Sequence, residues 1–147
     1  MPRYSAAVRS VSDPASTFAY LSRFDRAAEW DPGVAEAAMV TAEPVGRGSR
    51  FRLVARFVGR SVPLEYEIVD LLPPERLVLH AETSLISSTD TITFDADGTG
   101  TVVTYDAVLE GRGLARLADP FLAIAFRRSG DRAVAGLRAR LSQGVSP

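Results

Sequence analysis

Few side chains in this sequence can carry acid–base or covalent chemistry, and their types bound what that chemistry is. Cysteine is absent, which removes disulfides, thiolate metal ligands and a cysteine nucleophile. The single histidine is His80. Zinc held around it would need several carboxylates beside one imidazole, which is not how zinc is normally bound, so no metal site is expected. Gly46-Arg47-Gly48 reads as a turn before a strand, and no glycine-rich phosphate cradle opens a helix after a strand. No cofactor is therefore expected. No nucleophile–base pair is visible, and no residue is assigned as catalytic. The remaining chemistry is positioning and proton transfer by carboxylates, tyrosines or the imidazole.

The period of the flanking residues says where these groups point. His80 shares the parity of Val78 and Glu82, opposite Leu77, Leu79 and Ala81. It therefore faces solvent, although an unperturbed pKa near neutrality makes it the obvious proton carrier. Asp90 has the parity of Ile92 and Phe94, which aims it at a cavity if one exists. An isolated carboxylate there is costly unless paired or protonated. The alternatives are a functional acid and, the commoner case, a strand-end residue still in water. Tyr66 and Tyr105 fall on inward rows. A buried tyrosine needs a partner for its hydroxyl: commonly a neighbouring backbone group, otherwise a ligand or trapped water.

The elements that must position these groups are legible from periodicity. Phe51, Leu53, Ala55 and Phe57 alternate with Arg50, Arg52, Val54 and Arg56, the pattern of a half-buried strand with an arginine-rich outer face. Val62, Leu64, Tyr66 and Ile68 alternate likewise, and Glu65 and Glu67 are placed to meet those arginines across the strands. Pro73-Pro74 makes a turn before a strand from Arg76 to Thr83. Asp97-Gly98 is a hairpin signal between the rows Ile92, Phe94 and Val103, Tyr105, Ala107, Leu109. With Arg3 to Ser10 and Val34 to Ala42 the count is about seven strands. Asp13-Pro14 and Asp119-Pro120 each open an apolar-periodic run, because aspartate caps free N–H groups and proline tolerates the first helical position. A short helix (about Arg23 to Glu29) ends before Asp31-Pro32. The connections are short, which predicts an antiparallel meander in an α+β fold.

The run from Pro120 to Gln143 predicts a long helix with Leu122, Phe126, Gly130, Ala133, Val134, Leu137 and Leu141 on one face. Phe121 and Ile124 fit that stripe poorly, so the first turn packs differently. Large groups lie at both ends of the stripe, and Ser129, Gly130 and Ala133 form a narrow waist between them. Gly130 costs a helix about 1 kcal/mol relative to alanine. Either close helix–sheet packing or a void beneath the waist explains it.

Composition narrows the partners. The 147 residues suit one domain spanning residues 1–147. The 17 basic and 18 acidic residues nearly cancel. That balance offers no broad attraction for phosphate backbones or anionic membranes, so no nucleic-acid partner is expected. No apolar run approaches the ~20 residues of a membrane span, and the stretch Met1 to Ser10 lacks the apolar core of a signal peptide. A soluble cytoplasmic protein is the expectation.

Four phrases recur in a recognisable order: Ala28-Glu29-Trp30-Asp31-Pro32; Val45-Gly46-Arg47-Gly48-Ser49-Arg50-Phe51; Tyr66-Glu67-Ile68-Val69-Asp70 running to Leu72-Pro73-Pro74-Glu75-Arg76-Leu77-Val78; and Gly100-Thr101-Val102-Val103-Thr104-Tyr105. In this order and spacing the chain resembles the START/Bet v 1-like (SRPBCC) superfamily, specifically its bacterial polyketide cyclase/dehydrase-like members. The resemblance implies a helix-grip fold: an antiparallel sheet of about seven strands wrapped around a long C-terminal helix, with two short helices after the first strand. It also implies a cavity between that helix and the sheet, used for lipids, hormones, polyketides or other hydrophobic molecules. Trp30 sits where such proteins place an aromatic residue near the pocket rim; a lid packed on the core is the alternative. The candidate ligand contacts are Trp30, Phe51, Leu53, Phe57, Tyr66, Leu79, Asp90, Tyr105, Phe126, Gly130, Ala133 and Leu137. The leading functional expectation is binding or transport of a small hydrophobic or amphipathic molecule, by a monomer or homodimer. A polyketide cyclase or aromatase-type dehydratase using the same cavity is the alternative, with Tyr66, Asp90 and Tyr105 first in line. A protein-interaction module is the third reading. It would need an apolar patch on the outer sheet face, which the arginines and glutamates there oppose.

Overall fold

The computed structural model describes residues 2–57, 59–113 and 119–145. Among these, β1 (Arg3–Ser10), β2 (Val34–Met39), β3 (Arg50–Phe57), β4 (Arg60–Leu72), β5 (Arg76–Glu82), β6 (Ile86–Asp97) and β7 (Gly100–Gly111) form one sheet. Its order is β1-β7-β6-β5-β4-β3-β2, antiparallel throughout. Helix α1 (Pro14–Ser22) and a 3-10 helix (Phe24–Glu29) separate β1 from β2, and α2 (Asp119–Leu141) follows β7. This is the helix-grip arrangement expected from the order of elements.

Local chemistry accounts for the boundaries. The Asp13 carboxylate accepts the Ser16 N–H at 3.0 Å, and Pro14 occupies the first turn of α1. The matching cap expected of the Asp119 side chain lies outside the described residues. Strand alternation puts Phe51, Ile68, Leu77, Leu79, Ile92 and Val103 fully inside and leaves charged residues outside. Register sets Arg50 opposite Glu67 and Arg52 opposite Glu65, although the ion pairs that close between strands among the described residues are Arg3–Asp106 at 2.9 Å, Arg9–Asp97 at 3.0 Å and Arg76–Asp70 at 2.8 Å. Register shifts between Val34 and Glu36 and between Ile68 and Asp70 flip the alternation. As a result Leu71, not Asp70, packs against the core.

The inner face is covered unevenly. Phe18 of α1 meets Phe94 edge-on at 5.0 Å, and Phe24 of the 3-10 helix packs against Phe51 and Tyr66. Helix α2 buries Val134, Leu137 and Leu141. Its first turns behave differently from the expected alternative packing: Phe121 is 81% and Ile124 60% exposed, so they do not pack on the sheet at all. Two glycines let α2 approach. A Cβ at Gly130 would lie 2.6 Å from the Tyr4 ring, and one at Gly136 would lie 1.9 Å from the Trp30 carbonyl oxygen. In an unobstructed helix, glycine to alanine gains about 1 kcal/mol. Here the sign is reversed, and Gly136→Ala is expected to lower stability by about 1–3 kcal/mol through overpacking. Urea unfolding at constant slope measures it; an unchanged or raised midpoint would mean that α2 does not meet Trp30 as described.

Candidate functional site

Beneath α2, from Phe126 to Leu137, lies a cavity of about 170 Å³. The helix contributes Phe126, Ser129, Gly130, Ala133, Val134 and Leu137, so the small-residue waist does face a void. Both explanations of Gly130 hold together, because the same residue lines the cavity and touches Tyr4. The opposite wall comes from β3, β4, β6 and β7, and the segment from Trp30 to Val34 closes one side. Half-exposed Phe57, Val62, Ile86 and Phe126 form an apolar rim.

Nine of the expected contacts line this space: Trp30, Phe57, Tyr66, Asp90, Tyr105, Phe126, Gly130, Ala133 and Leu137. Phe51, Leu53 and Leu79 do not. They are buried at 0%, 3% and 0% exposure in the packed core, on the correct face but away from the void. Trp30 satisfies both of its readings. It is buried, edge-on to Phe24 and Tyr105 at 6.3 and 6.1 Å, and it lines the cavity. His80 lies on the outer parity with its Nδ1 2.9 Å from the Thr89 hydroxyl, as its alternation predicts.

Asp90 is not a strand-end residue in water. It lies in the middle of β6 at 6% exposure. The Ser88 hydroxyl donates to its Oδ1 at 3.0 Å, and the Tyr105 hydroxyl donates to its Oδ2. The Ser88 side chain also acts on the Tyr66 hydroxyl, against the rise that burial causes there. Burial pushes the Asp90 carboxyl up to about 6; the Tyr105 and Ser88 hydrogen bonds pull the other way, and the charge of Asp31 adds to the rise. Tyr105 and Tyr66 are both raised, first by burial and then by the Asp90 charge. Asp31, a second carboxylate at the cavity wall, is also raised by burial, against the hydrogen bond it accepts from the Gly33 N–H at 2.8 Å.

Asp31 and Ser88 are the functional candidates that the sequence reading missed. Ser88 shares the parity of Asp90 and Ile92, which was a usable signal. Asp31 looks like a turn residue in sequence, and only the fold of the Trp30–Val34 segment brings it to the cavity. Among the described residues no three His, Asp or Glu side chains are grouped as metal ligands would be, and no helix is long and apolar enough to cross a membrane. The site can bind an apolar body and present hydroxyl donors and a proton-accepting carboxylate to one polar group on it.

The raised carboxyl has a thermodynamic consequence. A folded-state pKa above the unfolded one contributes stability that is complete below the unfolded value and is lost as pH rises through the folded value. The displacement from 3.8 to about 6 corresponds to about 3 kcal/mol at roughly 1.4 kcal/mol per pH unit. Wild type is therefore expected to gain stability relative to Asp90→Asn as pH falls from about 6 to about 4, with a flat difference above about 7. Urea unfolding of both proteins across that range tests it; a flat difference throughout would show that Asp90 does not titrate as a buried group.

The sequence and the fold both have relatives. No curated protein matches the sequence. Among solved structures, a START superfamily protein from Mycobacterium smegmatis superposes with a TM-score of 0.79 at 14% identity, covering 96% of this chain and 97% of that one. A protein from Thermus thermophilus gives 0.76 at 20% identity, covering 95% and 97%. The Zhui aromatase/cyclase from a Streptomyces species gives 0.73 at 14% identity, covering 95% and 92%. At these identities the likeness shows the fold. The model of the family described as polyketide cyclase / dehydrase and lipid transport matches residues 1–142, nearly the whole chain with its cavity-forming helix, and the chain belongs to that family.

Proposed function

We propose that the protein binds a compact hydrophobic molecule carrying one polar group, with the apolar body under α2 and the polar group against Asp90, Tyr105 and Tyr66. The observation that supports this reading is the cavity beneath the helix waist, apolar along α2 and polar at one end. Its size sets the ligand class. Ligand pockets for drug-sized molecules run roughly 300–1,000 Å³, and an apolar cavity of about 150 Å³ takes up a benzene-sized molecule. At about 170 Å³ this site fits a body of one or two fused rings, or a short chain, better than an extended acyl chain. The exposed large apolar side chains include Val69 and Leu72 at the β4 end, among charged neighbours, which gives little support to docking through the outer sheet face.

A second reading draws on the same polar end. In a cyclase or dehydratase, the Asp90 carboxylate would take a proton from carbon next to a substrate carbonyl, while a tyrosine hydroxyl stabilises the resulting enolate oxygen. The pairing of Asp90 with Tyr105 favours it, because a general base near neutrality is most useful when its pKa is raised toward the working pH. The small volume favours binding over folding of a long poly-carbonyl chain.

Naphthol is expected to raise the thermal unfolding midpoint of the wild type. Ala133→Leu, which fills the waist, is expected to keep or improve stability while weakening naphthol at least about tenfold, a loss of about 1.4 kcal/mol. The reading fails if no apolar compound stabilises the protein and native mass spectrometry of protein from its own host shows an empty cavity. Turnover of an aldol-type poly-ketone that disappears in Tyr105→Phe, with naphthol binding retained, would establish the second reading.

A further inference from the structure

The polar end of the cavity is acidic, and among the described residues it has no counter-charge. Asp90 and Asp31 both contribute to the wall, and Asp90 is raised in part by the charge of Asp31. Neither forms an ion pair among the described residues, and no arginine is among the groups acting on either carboxyl. Arg56 is the basic residue at the described wall, but it has the outward parity of β3 and is exposed. Each Asp90 oxygen already accepts one hydroxyl and retains acceptor capacity. Aromatic rings surround this corner: Trp30 stands edge-on to Tyr105 at 6.1 Å, and Tyr66 lines the same wall.

A buried carboxylate with hydroxyl donors but no cation is stabilised most by a ligand that brings the cation. Aromatic faces attract the same charge. A carboxylate ligand, by contrast, would place a third negative charge beside two buried carboxylates, where screening is weak. We infer that the cavity selects a protonated amine on a small apolar body, ranks a neutral alcohol of the same shape below it, and rejects a carboxylate. This rests on the proposal that the cavity is a ligand site and names the head group of that ligand.

The test compares phenethylamine, phenethyl alcohol and phenylacetate, close in apolar volume and different in charge, by calorimetry on the full chain near neutral pH. The amine is expected to bind about 10–100-fold tighter than the alcohol, the range of a hydrogen bond to a charged group, and the carboxylate weakest of the three. Asp90→Asn is expected to bring the amine within about threefold of the alcohol. Should that variant not fold, the wild-type ranking decides alone. Alcohol binding with equal or weaker amine binding overturns the inference and leaves the ligand site intact, as does phenylacetate binding best. An amine preference that survives Asp90→Asn also overturns it. Binding of none of the three overturns the inference and the ligand-site reading together.

Discussion

Everything at the candidate site depends on how near α2 can come to the Trp30 segment. At Gly136 the helix backbone meets the Trp30 carbonyl so closely that a single Cβ would lie 1.9 Å from its oxygen. With Val134, Leu137 and Leu141 buried below, that contact fixes the C-terminal half of the helix. The Tyr4 ring against Gly130, with its hydroxyl donating to Asp131 at 2.7 Å, fixes a second point. A stiff rod held at two points over a concave sheet cannot follow the curvature between and beyond them, and close packing elsewhere cannot fill the gap. The cavity is the geometrical remainder, and the small residues at 129, 130 and 133 keep it open.

The polar end is held by different forces. Placing a carboxylate at 6% exposure costs several kcal/mol unless hydrogen bonds replace its hydration. Ser88 and Tyr105 supply one bond to each oxygen, and charge-assisted bonds of this kind are about twice as strong as neutral ones. The compensation is incomplete, since burial still raises the carboxyl. An apolar residue at 90 would pack against Ile92 and Leu79 without any of this cost. The buried trio of Asp90, Tyr105 and Ser88 is therefore poorly explained as a device for stability, and the proposed ligand site explains it better.

The periodicity of the sequence carried the fold, and it carried the side on which Asp90, Tyr66 and Tyr105 lie. It could not say which inward positions meet a void. Phe51 has the same parity as Phe57, yet Phe24 from the 3-10 helix covers it at 6.4 Å, whereas Phe57 reaches the cavity rim. Coverage depends on where a helix crosses the sheet, a long-range fact that no local pattern contains. Gly136 shows the same limit. The stripe drew attention to Gly130, but the tighter contact belongs to the glycine whose partner is a backbone carbonyl more than 100 positions earlier. For Asp90 a strand end in water stayed open beside the cavity reading, because its compensating hydroxyl comes from the next strand, 15 residues on, and a carboxylate without visible partners reads as exposed.

The division between the two walls has a mechanistic meaning. Polar groups sit on β4, β6 and β7, whose side chains are held by hydrogen-bonded neighbours on both edges. The apolar part of the cavity is shared between sheet side chains such as Val62, Leu64, Ile86 and Leu109 and the α2 residues Phe126, Ala133, Val134 and Leu137. In the proposed reading, head-group recognition thus resides on interior strands, where small displacements are costly. The size of the apolar compartment is set by three small side chains on one helix face. Substitutions at 129 or 133 can change which ligand body fits without moving Asp90 or Tyr105. Changes at 88, 90 or 105 can alter the head group accepted without changing volume. Such separation lets one scaffold vary body size and polar chemistry independently, and it suits a fold whose members differ widely in sequence while keeping the same helix over the same sheet.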